Sequence, residues 1–114
     1  MKFRKKTVNF PVLGHYRIHV IVASDVKKYM AQSKLFNHVS MDGENSDTTA
    51  ITLHRMGEST IILPLSATAG TVAHEAYHAV RKRLVKQDIE LDNEIVAYHL
   101  GYLVNKISLL LKEK

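Results

Sequence analysis

Five residues in the middle of the chain, His74-Glu75-Ala76-Tyr77-His78, restrict what this sequence can fold into more than any other stretch. If residues 69–85 form a helix, His74 and His78 stand at i and i+4, one above the other, and both imidazoles can reach one metal ion. Glu75 then faces the adjoining arc, where its carboxylate can take a proton from a metal-bound water. A random H-E-x-x-H match is expected roughly 0.02 times in a chain of this length and composition, so chance does not account for it. The competing reading is a polar surface helix with no metal at all.

The choice of metal follows from the available donors. The chain has no cysteine, so disulfides and thiolate ligands are excluded and a metal has to be held by His and carboxylates. Zinc suits such a set, and is catalytic when three protein ligands leave the fourth position to water. One Zn2+ per chain is the expectation. The third ligand is expected to be Glu94. A helix ending at Val85 runs about 10 Å past His78, and a six-residue connection extending up to roughly 20 Å can bring the next helix back level with it. Ala97 and Gly101 share a face with Glu94, and small residues there, opposite Ala76 and Ala79, suit a close crossing of two helices. Without a metal, Glu94 is simply a carboxylate at a helix N-terminus, favoured by the macrodipole. Asp88, Glu90, Asp92 and His99 are the fallback donors.

With 114 residues, 46% of them hydrophobic, the chain is expected to form a single domain, 1–114, with one modest core. Its net charge of +5 raises the question of an acidic partner. The basic residues are scattered, however, with one short cluster at Lys2, Arg4, Lys5 and Lys6 and a second at Arg81, Lys82, Arg83 and Lys86. Solvated faces are the simpler reading. The amino-terminal stretch never becomes an uninterrupted apolar run, so no export signal is read. Residues 95–111 are interrupted by His99, Asn105 and Lys106 and read as a buried helix, not a membrane span. A cytoplasmic location is therefore expected.

In chain order, residues 1–15 read as a short basic arm. Residues 16–23 read as a strand with Ile18, Val20 and Val22 on one face and Arg17, His19 and Ile21 on the other. Ser24-Asp25 starts a helix over 26–35 with Val26, Tyr29 and Met30 as its apolar positions. Residues 37–49 form the most polar stretch and are expected to be a loop, either a mobile connection or a flap at the site. Two strands follow, 50–55 and 59–65, joined by a hairpin turn at 56–58. The segment 59–62 is read as a sheet edge, open to an extended peptide through main-chain hydrogen bonds. Val72, Ala76, Ala79 and Val80 make the apolar stripe of the motif helix. Asp92 or Asn93 caps a final helix reaching about Leu111.

His74-Glu75-x-x-His78 followed by Asn93-Glu94 and the small Ala97 resembles the zincin metallopeptidases whose third ligand is a glutamate. The small size and the strand pair before the motif also resemble minimal zincin domains of phage-encoded and ImmA/IrrE-type zinc peptidases. The resemblance covers residues 50–105. It implies an α+β fold, with a small antiparallel sheet of about three strands packed on an active-site helix and a long C-terminal helix. It implies zinc held by His74, His78 and Glu94, with Glu75 as base and proton shuttle. If the protein is phage-encoded, the compartment implied is the host cytoplasm. Two departures stand out. Tyr98 occupies the position one turn after Glu94 where the thermolysin-like pattern has Asp, and no downstream His serves the oxyanion. Tyr98 is expected to take that role, or else to be a core-edge aromatic; Tyr77 and His99 are weaker candidates.

The function expected is zinc-dependent hydrolysis of a peptide bond in a peptide or protein substrate. Three alternatives stay open: a catalytically silent zincin-like binding or regulatory module, a basic nucleic-acid- or protein-binding protein, and a homo-oligomer built on the apolar C-terminal helix.

Overall fold

The computed structural model of the chain describes residues 2–10, 16–33, 50–55, 58–86 and 93–112. The polar stretch 37–49, the turn residues Met56 and Gly57, and the fallback donors Asp88, Glu90 and Asp92 lie outside the described residues. The order of elements is β1 (Phe3–Asn9), β2 (Arg17–Ala23), α1 (Val26–Ser33), β3 (Ile51–Arg55), β4 (Glu58–Pro64), α2 (Ala69–Lys86) and α3 (Asn93–Lys112).

The four strands form one mixed sheet in the order β1-β2-β4-β3. β1 runs antiparallel to β2, with Thr7 opposite His19 and Val8 opposite Ile18. β2 and β4 are parallel neighbours, Ile18 beside Ser59 and Val20 beside Ile61. β3 pairs antiparallel with β4, Thr52 opposite Ile61 and His54 opposite Ser59. The fold is therefore α+β, but its sheet has four strands and mixed polarity where three antiparallel strands were expected.

The reason lies in which strands are apolar on both faces. In β2, Val20, Ile21, Val22 and Ala23 are all buried, and in β4 so are Ile61, Ile62 and Leu63. A strand buried on both sides belongs in the middle of a covered sheet, and a parallel pair requires such cover. Ile18, Val20, Val22, Ile61 and Leu63 pack under α2 and α3, against Val72, Ala76, Ala79, Val80, Leu84, Leu103 and Ile107. Ile21 and Ile62 project to the opposite face, where Val26 and Met30 of α1 close over them together with Ile51 and Leu53. Each fully buried aliphatic side chain contributes about 1.5–3 kcal/mol, so the two central strands anchor both layers.

Two expectations about edges are corrected. Residues 59–62 belong to β4, which lies between β2 and β3; the edge beside the motif helix is β3. Most of the amino-terminal arm is a strand, β1, whose inward positions include the buried Val8. The charges at Arg4, Lys5 and Lys6 hid this strand, yet charged side chains are common on edges because they discourage further pairing.

The helices begin where local chemistry provides caps. Asp25 Oδ1 accepts from the Lys28 amide at 3.0 Å, and Thr68 Oγ1 accepts from the Thr71 amide at 3.2 Å, each satisfying an amide of the first turn. On α2 the expected stripe holds: Val72, Ala76, Ala79 and Val80 are all buried. On α3 the buried positions are His99, Leu103, Ile107 and Leu110. Ala97 and Gly101 do not sit in a tight crossing. Both are exposed, and a Cβ added at Gly101 would meet no neighbour within 4 Å. No described helix is long and apolar enough to cross a membrane.

Candidate metal-binding and acid-base site

The i,i+4 spacing brings His74 and His78 together on the exposed side of α2. Their Nε2 atoms are 3.2 Å apart, with ring centroids at 4.7 Å and ring planes at 78°. Two nitrogens bound to one tetrahedral zinc at 2.0–2.1 Å would be separated by about 3.3 Å. The pair therefore fits as two ligands of one ion with little movement. Tyr77, itself 44% exposed, sets its ring edge-on to His78 with centroids 6.4 Å apart.

Glu75 turns away from this pair toward the sheet and is only 9% exposed. Thr52 of edge strand β3 donates its hydroxyl hydrogen to Glu75 Oε2, and the same oxygen lies 3.2 Å from the Glu75 carbonyl. The motif helix is thus tied to the sheet edge through the motif carboxylate. This leaves Oε1 as the carboxylate oxygen not held by Thr52. Nothing in the local sequence marks Thr52 for this place; only alternation along β3, with Ile51 and Leu53 turned to the α1 side, puts Thr52 on the α2 side.

Glu94 stands in the first turn of α3. It is exposed, on the same arc as Ala97, Tyr98 and Gly101. Among the described residues, no group of three or more His, Cys, Asp or Glu side chains is gathered to hold a metal ion. The structure joins His74 to His78 and does not bring a third such donor to them within that set. Tyr98 is 58% exposed and lies edge-on to His99, on the solvent side of α3 and not in the core.

His99, a fallback donor, belongs to another cluster. It is fully buried, stacked on Phe10 and Tyr16, with its Nδ1 2.5 Å from the Tyr16 hydroxyl. Burial holds its pKa below the ordinary histidine value and pushes the Tyr16 phenol up, while Arg83 pulls that phenol in the opposite direction. Arg83 corrects the reading of the second basic cluster as a solvated face. Arg81 is exposed, but Arg83 is 2% exposed and points into the protein.

On the opposite face of the sheet, polar residues form a cross-strand chain. Thr7 Oγ1 lies 3.0 Å from His19 Nδ1, His19 Nε2 lies 3.0 Å from Glu58 Oε2, and Arg17 donates to Glu58 Oε1 at 2.8 Å. The His19 hydrogen bond is the main cause that holds the Glu58 carboxyl below its ordinary value.

No family model, no curated protein and no solved structure matches this chain.

Proposed function

We propose that this protein is a zinc-dependent metallopeptidase of zincin-like design, with His74 and His78 as metal ligands and Glu75 as the acid-base residue. The observation that carries the reading is the 3.2 Å separation of the two Nε2 atoms beside a glutamate anchored to the sheet edge. When bound, zinc supplies Lewis acidity that polarises a carbonyl and acidifies water. His74 and His78 hold it through Nε2. Glu75 takes the proton from the attacking water on Oε1 and delivers it to the leaving amine, while Thr52 fixes Oε2 and hence the plane of the carboxylate. The substrate is a peptide or protein segment. Glu94 is proposed as the third ligand, reached from the first turn of α3, and Tyr98, one turn further along the same arc, as a donor to the developing oxyanion. A cytoplasmic setting suits a chain without cysteine.

The test is the metal content of protein purified without added metal or an affinity tag, compared between wild type and His78→Ala. One zinc per chain in wild type and none in the variant supports the site; peptide hydrolysis lost in Glu75→Gln with zinc retained then supports the reaction. Wild-type protein that takes up no zinc at neutral pH would overturn the proposal.

A second reading, a zinc-holding module without turnover, is favoured by one feature: the Glu75 carboxylate is engaged by Thr52 and largely buried. It expects Glu75→Gln to keep both zinc and biological effect.

A further inference from the structure

We infer that the buried group formed by Arg83, Tyr16 and His99 is a binding site for a small oxyanion, a carboxylate or a phosphate, separate from the His74/His78 pair. The argument begins with Arg83. A guanidinium does not lose its proton inside a protein, and a cation removed from water requires a partner of opposite charge. Arg83 is 2% exposed, and its Nε is buried with no hydrogen-bond acceptor. The carboxylate whose field reaches it, Glu58, is already engaged at both oxygens, by Arg17 at 2.8 Å and by His19 at 3.0 Å.

The second line is independent and concerns His99. Burial keeps the Tyr16 phenol protonated, and its hydrogen is directed at His99 Nδ1, 2.5 Å away. That hydrogen bond puts the imidazole's own proton on Nε2. Nε2 is also buried without a partner. Two N–H donors with no acceptor, one belonging to a permanent cation, therefore border the same tyrosine. Buried polar groups are paired in the great majority of proteins, and each exception calls for an explanation. An acceptor carrying negative charge and at least two oxygens would meet both donors and neutralise Arg83 in a charge-assisted pair.

The group is also within reach of solvent. Tyr16 and Arg83 keep 4% and 2% exposure, whereas Val80 and Leu84, their neighbours on the same layer, keep none. Arg83 follows His78 by five residues and faces the sheet, while His78 faces outward, so the two sites lie on opposite sides of α2.

The test uses the full-length wild-type chain. The side-chain Nε–Hε resonance of Arg83 is followed by NMR while inorganic phosphate, acetate or chloride is added at matched ionic strength. A saturable shift with phosphate or with acetate, and none with chloride, is the expected result; which of the two acts tells phosphate from carboxylate. The thermal midpoint should rise with the same anion, and Arg83→Met should abolish that rise while folding normally. If neither oxyanion moves the Arg83 resonance beyond chloride, the donors are met by water alone and the site does not exist. An equal thermal response in Arg83→Met would likewise overturn it.

Discussion

The Thr52 hydroxyl of β3 and the Glu75 carboxylate of α2 are hydrogen-bonded across 23 residues of chain, so the motif glutamate is held by the edge of the sheet and not by its own helix. Removing the hydroxyl leaves a carboxylate that is 9% exposed without its donor, a penalty of about 1–3 kcal/mol. Thr52→Val is expected to lower the urea midpoint accordingly, and Thr52→Ser to restore most of it. Equal midpoints for wild type and Thr52→Val would mean that the contact carries no net stability.

The His74 and His78 side chains should matter to metal and hardly to folding. Both are exposed, and surface substitutions away from special features change stability by about 0.5 kcal/mol or less. His74→Ala and His78→Ala are expected to unfold like wild type when stripped with chelator. Added zinc should raise the wild-type thermal midpoint and leave both variants unmoved. A zinc-induced rise that survives in His78→Ala would remove that residue from the ligand set.

Gly101 distinguishes two pictures of α3. In a tight helix crossing, Gly101→Ala would clash; on an exposed face with no neighbour within 4 Å of the added methyl, it should stabilise the helix by up to about 1 kcal/mol. The sign of the change in denaturant midpoint decides, and a stabilised variant is expected.

His99 makes stability depend on pH in a defined direction. Its folded-state pKa lies below the unfolded value because burial disfavours the charged ring. Its contribution is therefore fully present above the unfolded pKa, about 6.5, and is lost as pH falls from there toward the folded value, because the unfolded chain takes up the proton first. Wild-type stability should drop between neutral pH and mildly acidic pH more steeply than that of His99→Phe. The comparison needs denaturation curves for both proteins at matched pH values, since His19, His54, His74 and His78 also titrate. Parallel pH profiles would show that His99 is not the source.

Much of the secondary structure is written locally in the chain. The period of Val72, Ala76, Ala79 and Val80 specifies a helix and its buried stripe; the alternation of Ile18, Val20 and Val22 specifies a strand and its inner face; Asp25 marks a helix start through a bond only three residues long. The spacing of His74 and His78 likewise dictates their meeting, because the helix itself places i and i+4 together. These outcomes need nothing beyond the segment concerned. Strand order is different. Alternation tells which face a residue takes but not which strand lies beside it, so the parallel pairing of β2 with β4 and the edge position of β3 emerged only when both apolar faces of the central strands had to be covered. The run Ile61-Ile62-Leu63, apolar without alternation, was the sequence signal for a central strand. β1 was obscured because its charges suit an edge as well as they suit a loose arm. The partners of Glu75, Arg83 and His99 were set by tertiary structure alone. Thr52 reaches Glu75 from another element, Tyr16 reaches His99 across 83 residues, and Arg83, part of a basic run in sequence, is turned inward by the helical phase it shares with Ala76, Ala79 and Val80. Local periodicity is an intrinsic property of a segment, whereas a side chain's partner is a property of the packed whole.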